Sequence, residues 1–351
     1  MKRLSLFICL FFGYACSAIA QNNCEQSIKQ AEDFYAAGDY DNCIQLLEKA
    51  NIDCPFSKKK KELVLELLAK AYLEQDNLPM AEKATYDLLK NNPHYELKEN
   101  ADHEDFEILV EKFDVHPLFS IGARNTVMQP GFKTVRTYSV LDDLDYSAPY
   151  KAAETVLLYY IIGEYEFKKT YSLNADIITY QLSYTRAFSR PSNLELYYME
   201  DLSFLEIPVY LKKYFLLGRN FSIYTCAGAG YLRMLGAEGN IGISYLTEDV
   251  FNGSTSSFVS TASADVLSMR NRNSYEWLAG LGVGFKFRGL GIFIDARYTG
   301  GLNSITNPAT RYTNSPFVNN YYYVDNSVKM NKYEVGLSLS YTLKNVIKKV
   351  R

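Results

Sequence analysis

From residue 117 onward, apolar and polar positions alternate with a period of two. In NKYEVGLSLSYTL, Tyr333, Val335, Leu337, Leu339, Tyr341 and Leu343 fall on one side, and Glu334, Gly336, Ser338, Ser340 and Thr342 on the other. Successive side chains of a strand point to opposite faces, so this is the spacing of a β-strand. Tyr275, Trp277, Ala279, Leu281, Val283, Phe285 and Phe287 oppose Glu276, Gly280, Gly282, Gly284, Lys286 and Arg288 in the same way. In LGIFIDARYTGG, Leu290, Ile292, Ile294, Ala296 and Tyr298 oppose Phe293, Asp295 and Arg297. Leu205, Ile207, Val209 and Leu211 likewise oppose Glu206, Tyr210 and Lys212. The pattern predicts eight strands, near 118–127, 154–168, 170–186, 202–215, 220–234, 273–288, 290–302 and 328–343.

These apolar faces are too long and too uniform to share one soluble core. Turned outward they suit lipid, while the charged and glycine-rich faces suit the inside of a closed barrel. The spacing of the joins points the same way. Lys168-Lys169, Leu217-Gly218-Arg219 and Arg288-Gly289 are tight, whereas 128–153, 187–201, 235–272 and 303–327 read as long loops, and the two kinds alternate. Outer-membrane barrels have short periplasmic turns and long outer loops. Residues 117–351 are therefore expected to form an all-β, eight-stranded antiparallel transmembrane barrel, with outer-membrane lipid as its surroundings. An even strand number places both chain ends of the barrel in the periplasm. Composition adds weight: the chain has 30 Tyr and one Trp, and tyrosine, with an apolar ring and a wet tip, suits a membrane interface.

Residues 21–116 are different. They carry 21 Asp/Glu and 11 Lys/Arg, against 19 and 24 from residue 117 onward. An acidic piece is joined to a mildly basic one. Residues 24–115 have helical periodicity, and they repeat. Ala31, Phe34, Gly38, Asp39, Cys43, Leu47, Ala50 and Pro55 recur 38 positions later as Ala69, Tyr72, Asp76, Asn77, Ala81, Thr85, Leu88 and Pro93. The arrangement resembles the tetratricopeptide repeat, in which small residues let two antiparallel helices approach closely. The run Lys58–Lys61 would supply the extra length as a solvated linker, and a further helix near His103–Phe113 would cap the exposed end.

Lys2 and Arg3, the apolar run Leu4–Ala15 and Ala18-Ile19-Ala20 have the form of a secretory signal peptide, with cleavage expected after Ala20. Gly13-Tyr14-Ala15 makes a poor lipobox for Cys16. No later run reaches the ~18–20 apolar residues that a membrane-spanning helix needs. Cys24 opens the first helix of its pair and Cys54 closes the second, so antiparallel packing brings them together, and an oxidising envelope permits a Cys24–Cys54 bridge. Cys43 and Cys226 are read as inert, and the spacing fits no zinc motif.

Glu206, Lys212, Glu276, Lys286, Asp295, Arg297 and Glu334 are expected to face the barrel interior. An eight-stranded barrel is just wide enough to be filled by side chains. Unpaired charge there is costly, so these residues are read as a lumenal ion-pair network with interleaved signs. No catalytic, cofactor-binding or metal-ligating residue is assigned. Barrel hydrolases generally use a histidine base, and the histidines here are His94, His103 and His116, with none from 117 onward. No phosphate-binding glycine loop and no basic-aromatic stripe for nucleic acid stands out.

LEIPVYLKKYF (Leu205–Phe215), CAGAGYL (Cys226–Leu232), GLGVGFKF (Gly280–Phe287), IDARYTGGLN (Ile294–Asn303) and NKYEVGLSLSYTL (Asn331–Leu343) together resemble the PorT-type outer-membrane β-barrel family, common in Bacteroidota. The likeness spans 117–345. It implies a barrel fold, and in some relatives a part in type IX protein secretion; it supplies no catalytic residues. Two functions follow as expectations. In the first, the barrel anchors a helical module that docks a periplasmic protein through residues 24–115, and the acidity favours a basic partner. In the second, the chain is a surface receptor or adhesin acting through 248–269 and NNYYYVDN (Asn319–Asn326).

Overall fold

The computed structural model of the protein describes residues 24–97, 104–140, 149–152, 154–190, 194–218, 220–249 and 253–350. The expected leader with Cys16, and His103, lie outside them. The chain divides into two units, Met1–His116 with Asn345–Arg351, and Pro117–Lys344.

The first unit is helical: α1 (24–36), α2 (Tyr40–Asp53), α3 (Lys58–Glu74), α4 (Leu78–Asn91) and α5 (Glu104–Glu111). Its local geometry repeats at the 38-residue offset visible in the sequence. Asp39 caps α2 by accepting from the Asn42 N–H, and Asn77 caps α4 by accepting from the Met80 N–H, each satisfying a donor that the helix start leaves open. The residue before each cap, Gly38 and Asp76, takes a positive φ, +77° and +56°. Asp39 donates to the Phe34 carbonyl and Asn77 to the Tyr72 carbonyl, both at 2.9 Å. The small residues Ala31, Cys43, Ala69 and Ala81 are fully buried, as are Leu47, Thr85 and Leu88. Burying a leucine completely contributes about 1.5–3 kcal/mol, so these seams hold the unit together. Phe106 and Leu109 seat α5 on the same core. A disulfide joins Cys24 to Cys54. Lys58–Lys61 is not the expected linker. Ser57 caps α3 by accepting from Lys60 N–H, and the lysines form its first turn, because lysine is a good helix former once a cap starts the helix.

The second unit is built from strands. They are β1 (Phe113–Arg136), β2 (Lys151–Ala152), β3 (Val156–Lys168), β4 (Tyr171–Arg190), β5 (Leu194–Leu216), β6 (Phe221–Asp249), β7 (Gly253–Asp265), β8 (Asn273–Phe287), β9 (Leu290–Gly301) and β10 (Ser327–Lys349). A short helix, α6 (Ser315–Tyr321), lies between β9 and β10. The sheet order β4-β3-β1-β10-β9-β8-β6-β5 closes on itself through a β4–β5 pairing. The ring thus has eight members; β2 adds to β4 and β7 to β6 outside it, which brings the described strands to ten. At the β8–β9 turn, Arg288 and Gly289 both take positive φ, +47° and +84°, the geometry a two-residue hairpin requires.

The strands run further than the alternation suggested. Residues 187–201 are not a loop: β4 pairs with β5 as far as Arg190 opposite Leu194. Most of 235–272 is strand as well, in β6 and β7. The cause is an inversion within single strands. Along β4, Ser172, Asn174 and Asp176 point inward while Leu173 and Ile177 are exposed outside; further on, Ile178, Tyr180, Leu182, Tyr184 and Phe188 point inward while Thr179 and Gln181 face out. β5 switches at the same height. Glu206, Tyr210 and Lys212 are inside beside outward Val209 and Leu211, whereas Leu196, Tyr198, Leu202 and Phe204 are inside beside outward Asp201. A reading that holds the apolar face constant loses the strand where the face changes.

Candidate functional site

Three places gather chemistry: the lower ring interior, the ring mouth and the surface of the helical unit. In the lower interior, Glu206, Lys212, Glu276, Asp295, Arg297 and Glu334 are buried, and Lys286 is partly buried. Five further charges join them that the sequence reading passed over: Arg124, Glu164, Glu166, Asp176 and Lys332. Arg124 donates to Asp295 at 2.6 Å and to Glu334 at 2.9 Å. Arg297 pairs with Asp176 at 3.2 Å and Asp295 at 3.3 Å. Lys332 reaches Glu206 at 2.5 Å and Glu276 at 3.1 Å. Lys212 sits 4.0 Å from Glu164, and Lys286 pairs with Glu166.

The five missed charges were within reach of the same rule. Lys332 lies two residues before Glu334 on one face of β10, and Asp176 stands between Ala175 and Ile177 on β4. Glu164 and Glu166 alternate with Tyr165 and Phe167.

Glycine makes the room. A Cβ on Gly336 would stand 2.6 Å from the Arg124 Nε, and one on Gly228 would stand 2.2 Å from the Val209 carbonyl oxygen and 2.5 Å from the Tyr210 Cα. The first position lets the Arg124 side chain lie over β10 and reach Asp295 on β9, and the second lets Tyr210 come close enough to bond Asp176. Tyr210, Tyr214, Tyr224 and Phe293 fill the remaining space.

At the mouth, four elements meet around a second ion cluster. Arg270, just before β8, bonds Glu200 of β5 through Nε at 2.6 Å and Asp325, just before β10, at 2.5 Å. Arg186 of β4 lies 3.6 Å from Asp325 and over the rings of Tyr150 and Phe188, 4.2 and 4.5 Å from their centroids. Tyr323 stacks on Tyr198 at 4.3 Å. Burial alone would push the Asp325 carboxyl up, but Arg270 and Arg186 outweigh it and hold it below the usual carboxylate range. NNYYYVDN is split: Asn319, Asn320 and Tyr322 are exposed, as the receptor reading expects, and the rest is packed inward. Tyr321, Tyr323 and Asn326 are buried in the mouth, where the Tyr323 hydroxyl donates to Asp325 at 3.3 Å.

These interiors pair charge with charge, and the Ser172 hydroxyl donates to Glu164 at 2.7 Å; among the described residues no histidine stands with them. The described histidines are His94, on the helical unit, and His116, among the first residues of β1, which belong to that unit. Among the described residues, no group of three or more His, Cys, Asp or Glu is placed to hold a metal ion.

On the helical unit, Tyr35, Lys70, Leu73, Glu74, Asp76, Asp105 and Phe106 line a hollow of about 180 Å³. Lys70 is engaged by Glu66 at 2.8 Å and lies 5.0 Å from the Phe106 ring centroid. The rim carries three carboxylates. Burial and then the charge of Glu74 raise the Tyr35 phenol above its ordinary value; the acidic character of the hollow comes from the three carboxylates against one lysine that Glu66 already engages.

No protein-family model and no curated protein matches the chain. Solved structures that align with it include outer-membrane proteins. OprG from Pseudomonas aeruginosa aligns at 14% identity and a TM-score of 0.34, over 66% of this chain and 96% of that one. The outer membrane protease OmpT from Escherichia coli aligns at 11% and 0.35, over 66% and 98%. Ail, the attachment invasion locus protein of Yersinia pestis, crystallised with the heparin analogue sucrose octasulfate, aligns at 14% and 0.26, over 64% and 99%. Scores this low transfer nothing to the present chain.

Proposed function

We propose that the chain is a non-enzymatic outer-membrane β-barrel that anchors a periplasmic protein-binding helical module. The observation that carries this reading is the inversion of the apolar face along β4 and β5. β4 is greasy outside and polar or charged inside over its lower half, then polar outside and largely aromatic inside, with Arg186 among the rings, over its upper half; such a strand has two solvents. The lower half meets hydrocarbon and the upper half meets water. The height fits. Tyr333 to Leu343 present six outward apolar residues on β10, and ten steps of about 3.3 Å, tilted ~40°, rise roughly 25 Å. Tyr231, Tyr275, Trp277, Tyr298 and Tyr333 form neighbouring aromatic contacts of 4.9–5.9 Å, as an interface girdle would.

The filled lumen and mouth argue against a diffusion pore, which leaves the helical module as the part that acts. The acidic hollow on it favours a basic segment of a partner. The 38-residue repeat supports a tetratricopeptide-like docking module, and the chain fits a scaffold or accessory of envelope assembly or of type IX-like secretion, as the PorT resemblance implies. The test is affinity purification from detergent-solubilised outer membrane, comparing the full chain with one lacking 24–115. A partner lost on deletion supports the reading; identical sets of co-purifying proteins overturn it.

A further inference from the structure

We infer that the free edge of β7 is a homotypic contact: it pairs antiparallel with β7 of a second copy of this chain. Above the level where β8 starts, β7 takes over as the neighbour of β6, from Glu238 opposite Asp265 to Asp249 opposite Gly253. Among the described residues β7 pairs with β6 alone. The ring proper has no edge, and the flank at β4 ends in the two-residue β2, a short and blunted edge. β7 is longer, and although a bulge near Ser260 bends its upper part, 261–265 stays an open, straight edge. Its sequence, GSTSSFVSTASAD, contains no Lys, Arg or Pro, and one charge, at its last residue. Natural edge strands are normally defended by those residues, since an open row of N–H and C=O groups is a template for another strand.

The register of the contact follows from backbone alternation. Val266 donates its N–H to the Ala237 carbonyl at 2.9 Å. In an antiparallel ladder the bonding direction alternates, so Ala264 and Ala262 turn their peptide groups toward β6. Asp265, Ser263 and Thr261 turn theirs to the open edge, and their side chains are exposed. A bulge between the Ile243–Ser260 and Ser244–Phe258 pairs bends the ladder there, which confines flat pairing to 261–265. A two-fold contact is then centred on Ser263. It sets Asp265 opposite Thr261 of the other copy, so the two acids stay apart, whereas a parallel in-register pair would place acid beside acid.

This two-fold axis runs across the strands. If the ring spans a membrane as proposed above, two copies in one bilayer cannot be related this way, and the pairing joins copies in facing bilayers. The consequence is a direct contact between membranes that both carry the chain.

The experiment measures self-association of the full chain in detergent micelles by sedimentation equilibrium, and clustering of phospholipid vesicles that carry it. Ser263→Pro removes an N–H that faces the open edge and keeps the backbone ladder to β6. It also removes the Ser263 hydroxyl bond to Glu238, 3.1 Å; Ser263→Ala removes that bond alone and should leave dimerisation unchanged. Ser263→Pro is expected to weaken dimerisation by roughly tenfold or more. Ser263→Lys and Ser263→Glu each place like charges across the axis and should each be monomeric, and an equimolar mixture of the two should pair again. Such rescue cannot come from misfolding. A wild-type chain that stays monomeric, or a dimer indifferent to proline and charge at position 263, would overturn the pairing. A dimer that depends on position 263 in micelles, with no clustering of vesicles, would sustain the pairing and overturn the facing-bilayer arrangement that rests on the membrane reading.

Discussion

Replacing Lys332 by Met is the sharpest test of the lower interior. The Lys332 side chain is fully buried and holds Glu206 at 2.5 Å and Glu276 at 3.1 Å, both almost fully buried. Met keeps the length and fills the space, so little packing is lost. What disappears is the cation between two carboxylates. Breaking a buried pair on one side costs about 3–5 kcal/mol, because the remaining charge is stranded. Removing the cation strands the negative charge that Glu206 and Glu276 share, so a loss within that range is expected, a shift on the order of 10²–10³-fold or more in the unfolding equilibrium. The triple variant Lys332→Met, Glu206→Gln, Glu276→Gln removes the stranded charge as well and should regain at least half of the loss. Reversible urea unfolding in phospholipid vesicles, followed by Trp277 emission and by the gel mobility of the folded form, measures both. A single variant within about 1 kcal/mol of wild type would show that water reaches the site and that the ion pairs are not structural. So would a triple variant that loses the sum of its parts.

Other outcomes follow from the same geometry. Trp277, the single tryptophan, is 43% exposed on the outer face; in vesicles its emission should be quenched by brominated acyl chains and shielded from aqueous acrylamide, and the reverse result would remove lipid from the account. Opening the Cys24–Cys54 bridge, which spans 30 residues, should destabilise the helical unit by about 3–4 kcal/mol on the loop-entropy relation. The check is thermal melting of the helical circular-dichroism signal with and without reductant, and an unchanged midpoint contradicts it. Asp325 is held below the usual carboxylate range, with burial opposing and Arg270 and Arg186 favouring its charge. A depressed folded value gives stability that is present above the unfolded value near pH 4 and lost as pH falls through the folded value. Mouth stability read by tyrosine near-ultraviolet dichroism should thus fall below about pH 4 in wild type and be flatter in Asp325→Asn; matching acid profiles would assign the loss elsewhere.

The sequence alone determined what is periodic and local. Strand positions in the lower half of the ring were legible because Leu337, Leu339 and their outward neighbours stay apolar while Gly336 and Ser338 stay polar. The helical repeat was legible because Gly38 and Asp76, Asp39 and Asn77, Ala31 and Ala69 occupy the same places in two turns of one geometry. Inward charge on Glu206, Asp295 and Arg297 could be read from alternation, since direction along a strand is fixed by covalent structure. Partnership could not. That Arg124 reaches Asp295 on a strand far away in sequence, or that Arg270 and Asp325 meet at the mouth, depends on which strands become neighbours when the ring closes. The upper half of the ring was decided by tertiary structure as well. There Tyr184, Phe188, Leu196 and Tyr198 turn the apolar side inward, and the same alternation means the opposite of what it means below. Period two fixes that a side chain alternates; only the closed ring and its two surroundings fix which side is the inside worth filling with carbon and which with charge.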